Sequence, residues 1–202
     1  MDTDVIQDYH LEEIFHNLSI GLVNTQIEDG INSWKKLFEE TRHGLIWVTD
    51  DASLGCCVFI TDTYGINKNK LLRIEQTTGC PLVLWKIDGA MFQKLSKGDC
   101  ALIHNKLLHL VEFKANVTSS SELNIVGHYE KAASQIINAY DIIKTLYEKA
   151  HINISDVYDD VDAMIVFNPT IPRSNSTQQS FKERFRIENK MLLYMGNVRL
   201  LK

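Results

Sequence analysis

The sequence predicts a mixed α/β protein: a run of antiparallel strands followed by one long helix and a further core strand. Three observations carry this. Between Leu45 and Lys114 short apolar or β-branched runs alternate with turn residues. From about His128 to Lys149 apolar residues recur at helical spacing. Asp162–Phe167 then forms one more apolar run, ending at Asn168–Pro169.

In chain order, Asp8–Leu22 reads as a helix, with Leu11, Ile14, Phe15 and Leu18 on one side. A second helix is expected from about Ile31 to Arg42 on Ile31, Trp34, Leu37 and Phe38, with Gly44 as its stop. The runs Leu45–Val48, Cys56–Thr61, Leu71–Glu75 and Pro81–Ile87 read as an antiparallel meander, divided by Asp50–Asp51, Gly65–Asn69 and Thr77–Gly79. Strands at about Asp99–His104 and Leu107–Lys114 are separated only by the turn around Asn105 and are expected to be hairpin neighbours. Thr118–Ser121 reads as a polar loop. The long helix follows with Tyr129, Ala132, Ala133, Ile136, Ile137, Tyr140, Ile143 and Tyr147 as its apolar face. Strand, helix, strand makes a βαβ unit. Beyond Pro172 the sequence suggests a polar loop, a short basic helix near Phe181–Glu188 and a final strand within Met191–Leu201.

The 202 residues suit one domain or a domain with a modest appendage, and 45% apolar with 23% charged residues is ordinary for a globular protein. The expected division is 1–79 for N-terminal helices and meander, 80–170 for the core, and 171–202 for a basic extension. The acidic first residues argue against a secretory signal, and no apolar run approaches membrane-spanning length, so a cytoplasmic protein without membrane contact is expected. Cys56, Cys57, Cys80 and Cys100 lack metal-finger spacing and read as idle thiols. Asn116–Thr118 matches a glycosylation acceptor but carries little weight without an export signal.

A net charge of −5 is unlike that of proteins that coat nucleic acid nonspecifically, so any such contact must be local or assisted by a partner subunit. The charge is uneven. Arg173–Lys202 holds seven Lys/Arg against Glu183 and Glu188, directly after the acidic Asp156, Asp159, Asp160 and Asp162. Lys182, Arg184, Arg186 and Lys190 could grip phosphate or simply form a solvated helix face.

The chemistry concentrates in Gly98–Asn116. Asp99 opens one strand, and Glu112 and Lys114, two residues apart, project from one face of the next. Two acids and a lysine meeting at one point can hold a divalent cation and offset charge on a phosphate under attack. The bland alternative is a solvent-side ion pair, but these acids lie in otherwise apolar strands, where unpaired burial is costly. His109 has the opposite parity to Glu112 and should point away, and His104 and His109 read as satisfied histidines. Trp34, Trp47 and Trp85 read as core.

Asp99 after a glycine, an apolar strand, and Glu112-Phe113-Lys114 in a second apolar strand resemble the PD-(D/E)XK nuclease superfamily. Its restriction endonuclease-like core, helix, three antiparallel strands, helix, strand, is similar to the order from Pro81 to Phe167. The resemblance implies that Asp99, Glu112 and the Phe113 carbonyl bind Mg²⁺, with Mn²⁺ as a substitute. It also implies that Lys114 orients or deprotonates the attacking water and that cutting leaves a 3′-hydroxyl and a 5′-phosphate. Gly98 stands where the family usually has proline. Many members add a glutamate from the first core helix, for which Glu39, Glu40 and Glu75 remain open. Some place a glutamine in the following helix. Gln135 lies in that element, with Tyr140 five residues later rather than four. The implied function is Mg²⁺-dependent cleavage of nucleic acid, as a DNA endonuclease in restriction, repair or defence, with a homodimer or a partner subunit as the assembly. The alternative is a catalytically silent nuclease-fold protein acting as a binding or assembly subunit.

Overall fold

In a computed structural model, residues 1–16, 34–88, 98–117, 121–170 and 175–202 are described. They form a mixed α/β fold of two sheets. The larger has six strands in the order β1-β5-β6-β7-β8-β9: Phe38–Thr41, Leu82–Lys86, Cys100–His104, Leu107–Phe113, Asp160–Val166 and Leu192–Gly196. The smaller has four, in the order β10-β4-β2-β3: Val198–Leu201, Leu72–Gln76, Leu45–Asp51 and Cys56–Ile60. The helices are α1 (Thr3–Asp8), α2 (Leu11–His16), α3 (Glu122–Lys149), α4 (Ile154–Val157) and α5 (Asn175–Asn189). Among the described residues no helix is long and apolar enough to cross a membrane.

The centre of the large sheet follows from alternation. β5, β6 and β7 pair antiparallel, with Trp85 opposite Ala101 and Ala101 opposite Leu110. Asn105 and Lys106, at φ 47° and 60°, form the tight turn between β6 and β7. These strands are apolar on both faces because both are covered. Val83, Trp85, Ala101, Ile103, Leu108 and Leu110 face one core shared with α3. Leu82, Leu84, Cys100, Leu102 and Val111 face a second core, shared with Ile46, Val48, Leu72 and Ile74 of the small sheet. Buried Tyr129, Ala132, Ile136, Ala139, Ile143 and Leu146 give α3 its seam. Each large aliphatic or aromatic member contributes about 1.5–3 kcal/mol by leaving water. After α3, β8 runs parallel to β7, with Glu112 opposite Ile165.

Several expectations are corrected by longer-range contacts. The Asp8–Leu22 helix is broken at His10 (φ 52°) into α1 and α2, and its part beyond residue 16 lies outside the described residues. The Ile31–Arg42 helix reduces, over the described residues, to one 3₁₀ turn at Trp34–Leu37, after which β1 pairs with β5. Its helical spacing was real, but Phe38 meets Trp85 across the β1–β5 edge, and strand pairing prevails over local periodicity. The meander is not a meander. β2 lies between β3 and β4, while β5 leaves for the other sheet. Both sheets draw strands from more than one of the segments 1–79, 80–170 and 171–202: β1 and β9 extend the large one, and β10 joins β4. α3 begins six residues earlier than periodicity indicates, and α5 already starts at Asn175.

The final strand is two strands in two sheets. β9 runs parallel to β8 and β10 parallel to β4. The switch occurs at Gly196, whose φ of 148° is open to glycine and strained for other residues. The Gly196 carbonyl accepts from Phe167 N–H at 3.0 Å, and the Asn197 carbonyl accepts from Arg73 N–H at 2.8 Å, so the corner bonds to each sheet in turn. Gly196→Val should therefore cost about 1–3 kcal/mol in urea unfolding. An unchanged midpoint would show that the corner relaxes without strain.

Candidate metal and catalytic site

Asp99 stands just before β6 and is held on three sides. Its N–H donates to the Val111 carbonyl at 3.0 Å, and its Oδ2 accepts from Phe113 N–H at 2.6 Å. Its carbonyl accepts from both Ile87 (3.3 Å) and Asp88 (3.0 Å). Two successive donors on one carbonyl form a β-bulge, which re-aims the side chain of the extra residue. Gly98 lies against α3, where a Cβ would be 3.4 Å from that of Ala139 and 3.6 Å from the Gln135 carbonyl. Asp99 is thereby brought beside α3.

Glu112 sits opposite Asp99 by register, near the end of β7, and is 1% exposed. Its Oε1 accepts from Lys114 Nζ, and its Oε2 has no hydrogen-bond partner among the described residues. Lys114 follows β7, its N–H donating to the Val166 carbonyl at 2.8 Å. Its Nζ also donates to Gln135 Oε1 at 2.9 Å. Asp99, Glu112, Lys114 and Gln135 therefore form one connected group drawn from two strand ends and a helix. A strand residue's N–H and C=O point to the same side, so the Phe113 carbonyl faces Asp99.

Charge is poorly compensated here. Burial, then the Glu112 charge, pushes the Asp99 carboxyl up to about 8, against the pull of the Phe113 N–H. Burial pushes Glu112 up to about 7, Lys114 opposing it and Asp88 and Asp50 adding to it. Asp50, on β2, is raised by burial and then by Asp88. Lys114 counters both Asp50 and Asp99. Lys114 thus offsets the charge of three acids, Asp50, Asp99 and Glu112.

The donor set suits a hard divalent ion. It offers two carboxylates, one with an orphaned buried oxygen, and a strand-end carbonyl, and Mg²⁺ characteristically binds one or two carboxylates while keeping several waters. Among the described residues no three His, Cys, Asp or Glu side chains are arranged to enclose a metal by themselves. The carbonyl and water would therefore have to complete the shell.

The three glutamates left open are engaged elsewhere. Glu39 pairs with Lys86 at 2.5 Å and accepts from Phe59 N–H at 3.0 Å. Glu40 accepts from Asp2 N–H, and Glu75 pairs with Arg73 at 2.6 Å. Sequence reasoning did not single out Asp50 and Asp88, whose charges bear on Glu112. Asp50 resembled turn material, and the one signal for Asp88 was its place at the end of the strand that neighbours Asp99.

His104 is buried against Thr78 Oγ1 and the Pro81 carbonyl, each at 3.3 Å. His109 lies on the opposite face, its Nδ1 2.5 Å from Asp162 Oδ1, with Arg199 closing on the other Asp162 oxygen. Trp34 and Trp85 are core residues, while Trp47 is half-buried under Lys68. In the basic tail Arg184, Arg186 and Arg199 face Glu130, Glu183 and Asp162, which reduces its free positive charge. The four cysteines are free thiols.

No protein-family model matches the chain, and comparison with curated proteins and with solved structures returns no significant match.

Proposed function

We propose that this chain is a Mg²⁺-dependent nuclease of the PD-(D/E)XK type, cleaving phosphodiester bonds in nucleic acid, with DNA as substrate. The observation that carries the reading is the group of buried Asp99 and Glu112 with half-buried Lys114 and Gln135, with an orphaned Glu112 oxygen and two carboxyls held far above their ordinary range. The succession β5, β6, β7, α3, β8 supports this reading by matching the three strands, helix and strand of that superfamily's core, without its leading helix. Bound Mg²⁺ would supply a Lewis acid for the phosphate and lower the pKa of a water. In this reading Asp99 and Glu112 would hold the ion with the Phe113 carbonyl. Lys114, steadied by Gln135, would orient the attacking water and offset charge on the phosphate oxygens. Work in the cytoplasm, as a homodimer or beside a partner subunit that supplies the cationic groove, belongs to the same proposal.

Cleavage of plasmid and linear DNA in Mg²⁺ tests it. Glu112→Ala and Lys114→Ala should each lose activity by about a hundredfold or more. Equal cutting by all three proteins would remove the reading.

A second reading, a binding or assembly subunit without catalysis, is favoured by one feature. Lys114 occupies Glu112 and Phe113 N–H occupies Asp99, so each ligand already has an internal partner. Heat of Mn²⁺ binding that disappears in Asp99→Asn separates a metal site from such a scaffold, which has none to lose.

A further inference from the structure

Among the described residues, the large hydrophobic side chains left exposed concentrate on the small sheet. Leu45, Val198 and Leu200 lie on its strands and Leu54, Tyr64 and Ile66 on its connections, against three elsewhere. One face of this sheet is closed, because Ile46, Leu72, Ile74 and Leu201 pack into the core shared with the large sheet. Side chains alternate along each strand, so Leu45, Arg73, Glu75, Val198 and Leu200 point the other way. The registers join them: Val198 stands opposite Arg73, and Leu200 and Leu45 flank Glu75. The result is an apolar strip from β10 to the start of β2, with the Arg73–Glu75 ion pair at its centre.

A ridge runs beside the strip. β3 and β4 both pair antiparallel with β2, where Trp47 stands between Ile60 and Arg73, so the chain from β3 to β4 must cross β2. The inner side of β2 is filled by the core, and Lys68 Nζ lies 5.8 Å from the centroid of the outward Trp47 ring. The crossing is held by its own bonds: Asp62 accepts from Tyr64 N–H at 2.8 Å, and Asn67 caps the 3₁₀ turn Lys68–Lys70. Even so, Tyr64 is 94% exposed. A fixed ridge and an adjacent strip, both with apolar groups facing water, mark a protein interface.

We infer that the partner is a second copy of this chain, the ridge of each copy seated on the strip of the other. This takes up the homodimer of the proposal above and gives it a surface, without resting on the chemistry. A two-fold contact requires both halves on one molecule, and this face has them. Charge agrees, since the ridge offers Asp62 and Lys68 to Arg73 and Glu75 of the strip. Size agrees too. β10 and β4 alone span roughly 10 by 15 Å, whereas a stable dimer buries about 800 Å² per partner, so each copy must supply ridge as well as strip.

The test is sedimentation of the full chain between about 1 and 100 µM, a range in which wild type should dimerise. Tyr64→Lys on the ridge and Leu200→Asp on the strip should each weaken self-association about tenfold or more. Both residues are exposed, so the urea midpoints should stay near that of wild type. An equimolar mixture of the two variants should dimerise again. One half of that mixed interface is wild type on both sides, and the other sets a lysine against an aspartate. A wild type that stays monomeric would overturn the inference, as would variants that dimerise like wild type or a mixture that stays monomeric. Plasmid cleavage followed alongside separates the two proposals. A dimer that fails to cut upholds the interface and defeats the nuclease reading, and a wild-type monomer that cuts does the reverse.

Discussion

Asp99→Asn is expected to make the cation-free protein more stable at pH 8 while abolishing Mn²⁺ binding and DNA cleavage. The sign follows from where the proton sits. The Asp99 carboxyl is pushed up to about 8 in the folded chain from an ordinary value of 3.8. Between those values the native state keeps a proton that the unfolded chain has released. Stability therefore falls as pH rises through that window and levels off above it. Glu112, pushed up to about 7 from 4.5, acts in the same direction over a narrower range. Asparagine carries no such penalty and keeps an oxygen for the Phe113 N–H. Its advantage should be near zero below pH 4 and grow to about 2–4 kcal/mol at pH 8. Glu112→Gln should show a smaller gain, and the pair should not add, because the Glu112 charge is one cause of the Asp99 shift. Urea unfolding in chelator at pH 4, 6 and 8 reads the effect. Added Mg²⁺ should raise the wild-type midpoint at pH 8 and leave that of Asp99→Asn unmoved. A difference between the proteins that stays constant with pH would refute the buried-charge account. Residues that oppose stability and serve a ligand mark a site kept for function.

The parts of this site that were legible in the sequence are those governed by short periods. Strand parity alone puts Glu112 and Lys114 on one face and His109 on the other. The 3.6-residue repeat of α3 places Gln135 beside Tyr129–Ile136 on the helix that covers that face. The illegible parts depend on partners distant in sequence. Phe38 has the spacing of a helix and becomes a strand residue because Trp85 awaits it across β5. Asp50 and Asp88 carry no local pattern that separates them from turn acids. Their charges bear on Glu112 only because the fold brings distant segments together. Likewise Gly196 lies inside an apolar run that reads as one strand, and only the existence of two sheets makes it a corner.

The same dependence on distant partners sets the second large effect, at Arg199. Its guanidinium leaves β10 in the small sheet, lies over the Tyr194 ring at 3.7 Å from the centroid, and pairs with Asp162 on β8 of the large one. Asp162 is 5% exposed and also holds His109, which is 2% exposed. Arg199→Met keeps much of the apolar stem but leaves that carboxylate with only a histidine to offset it. Breaking a buried pair from one side costs about 3–5 kcal/mol, because the remaining charge stays out of water. Arg199→Met should thus unfold at markedly lower urea than wild type at pH 8. Arg199→Met/Asp162→Asn should restore part of the lost stability at pH 8, since the stranded charge is gone. A double variant no more stable than Arg199→Met would mean that the arginine acts through packing on Tyr194 rather than through the ion pair. The proposed metal site offers a control for locality. The Arg199 cluster lies on the sheet face opposite Glu112, so Mn²⁺ stoichiometry should be unchanged in Arg199→Met under conditions where the protein remains folded.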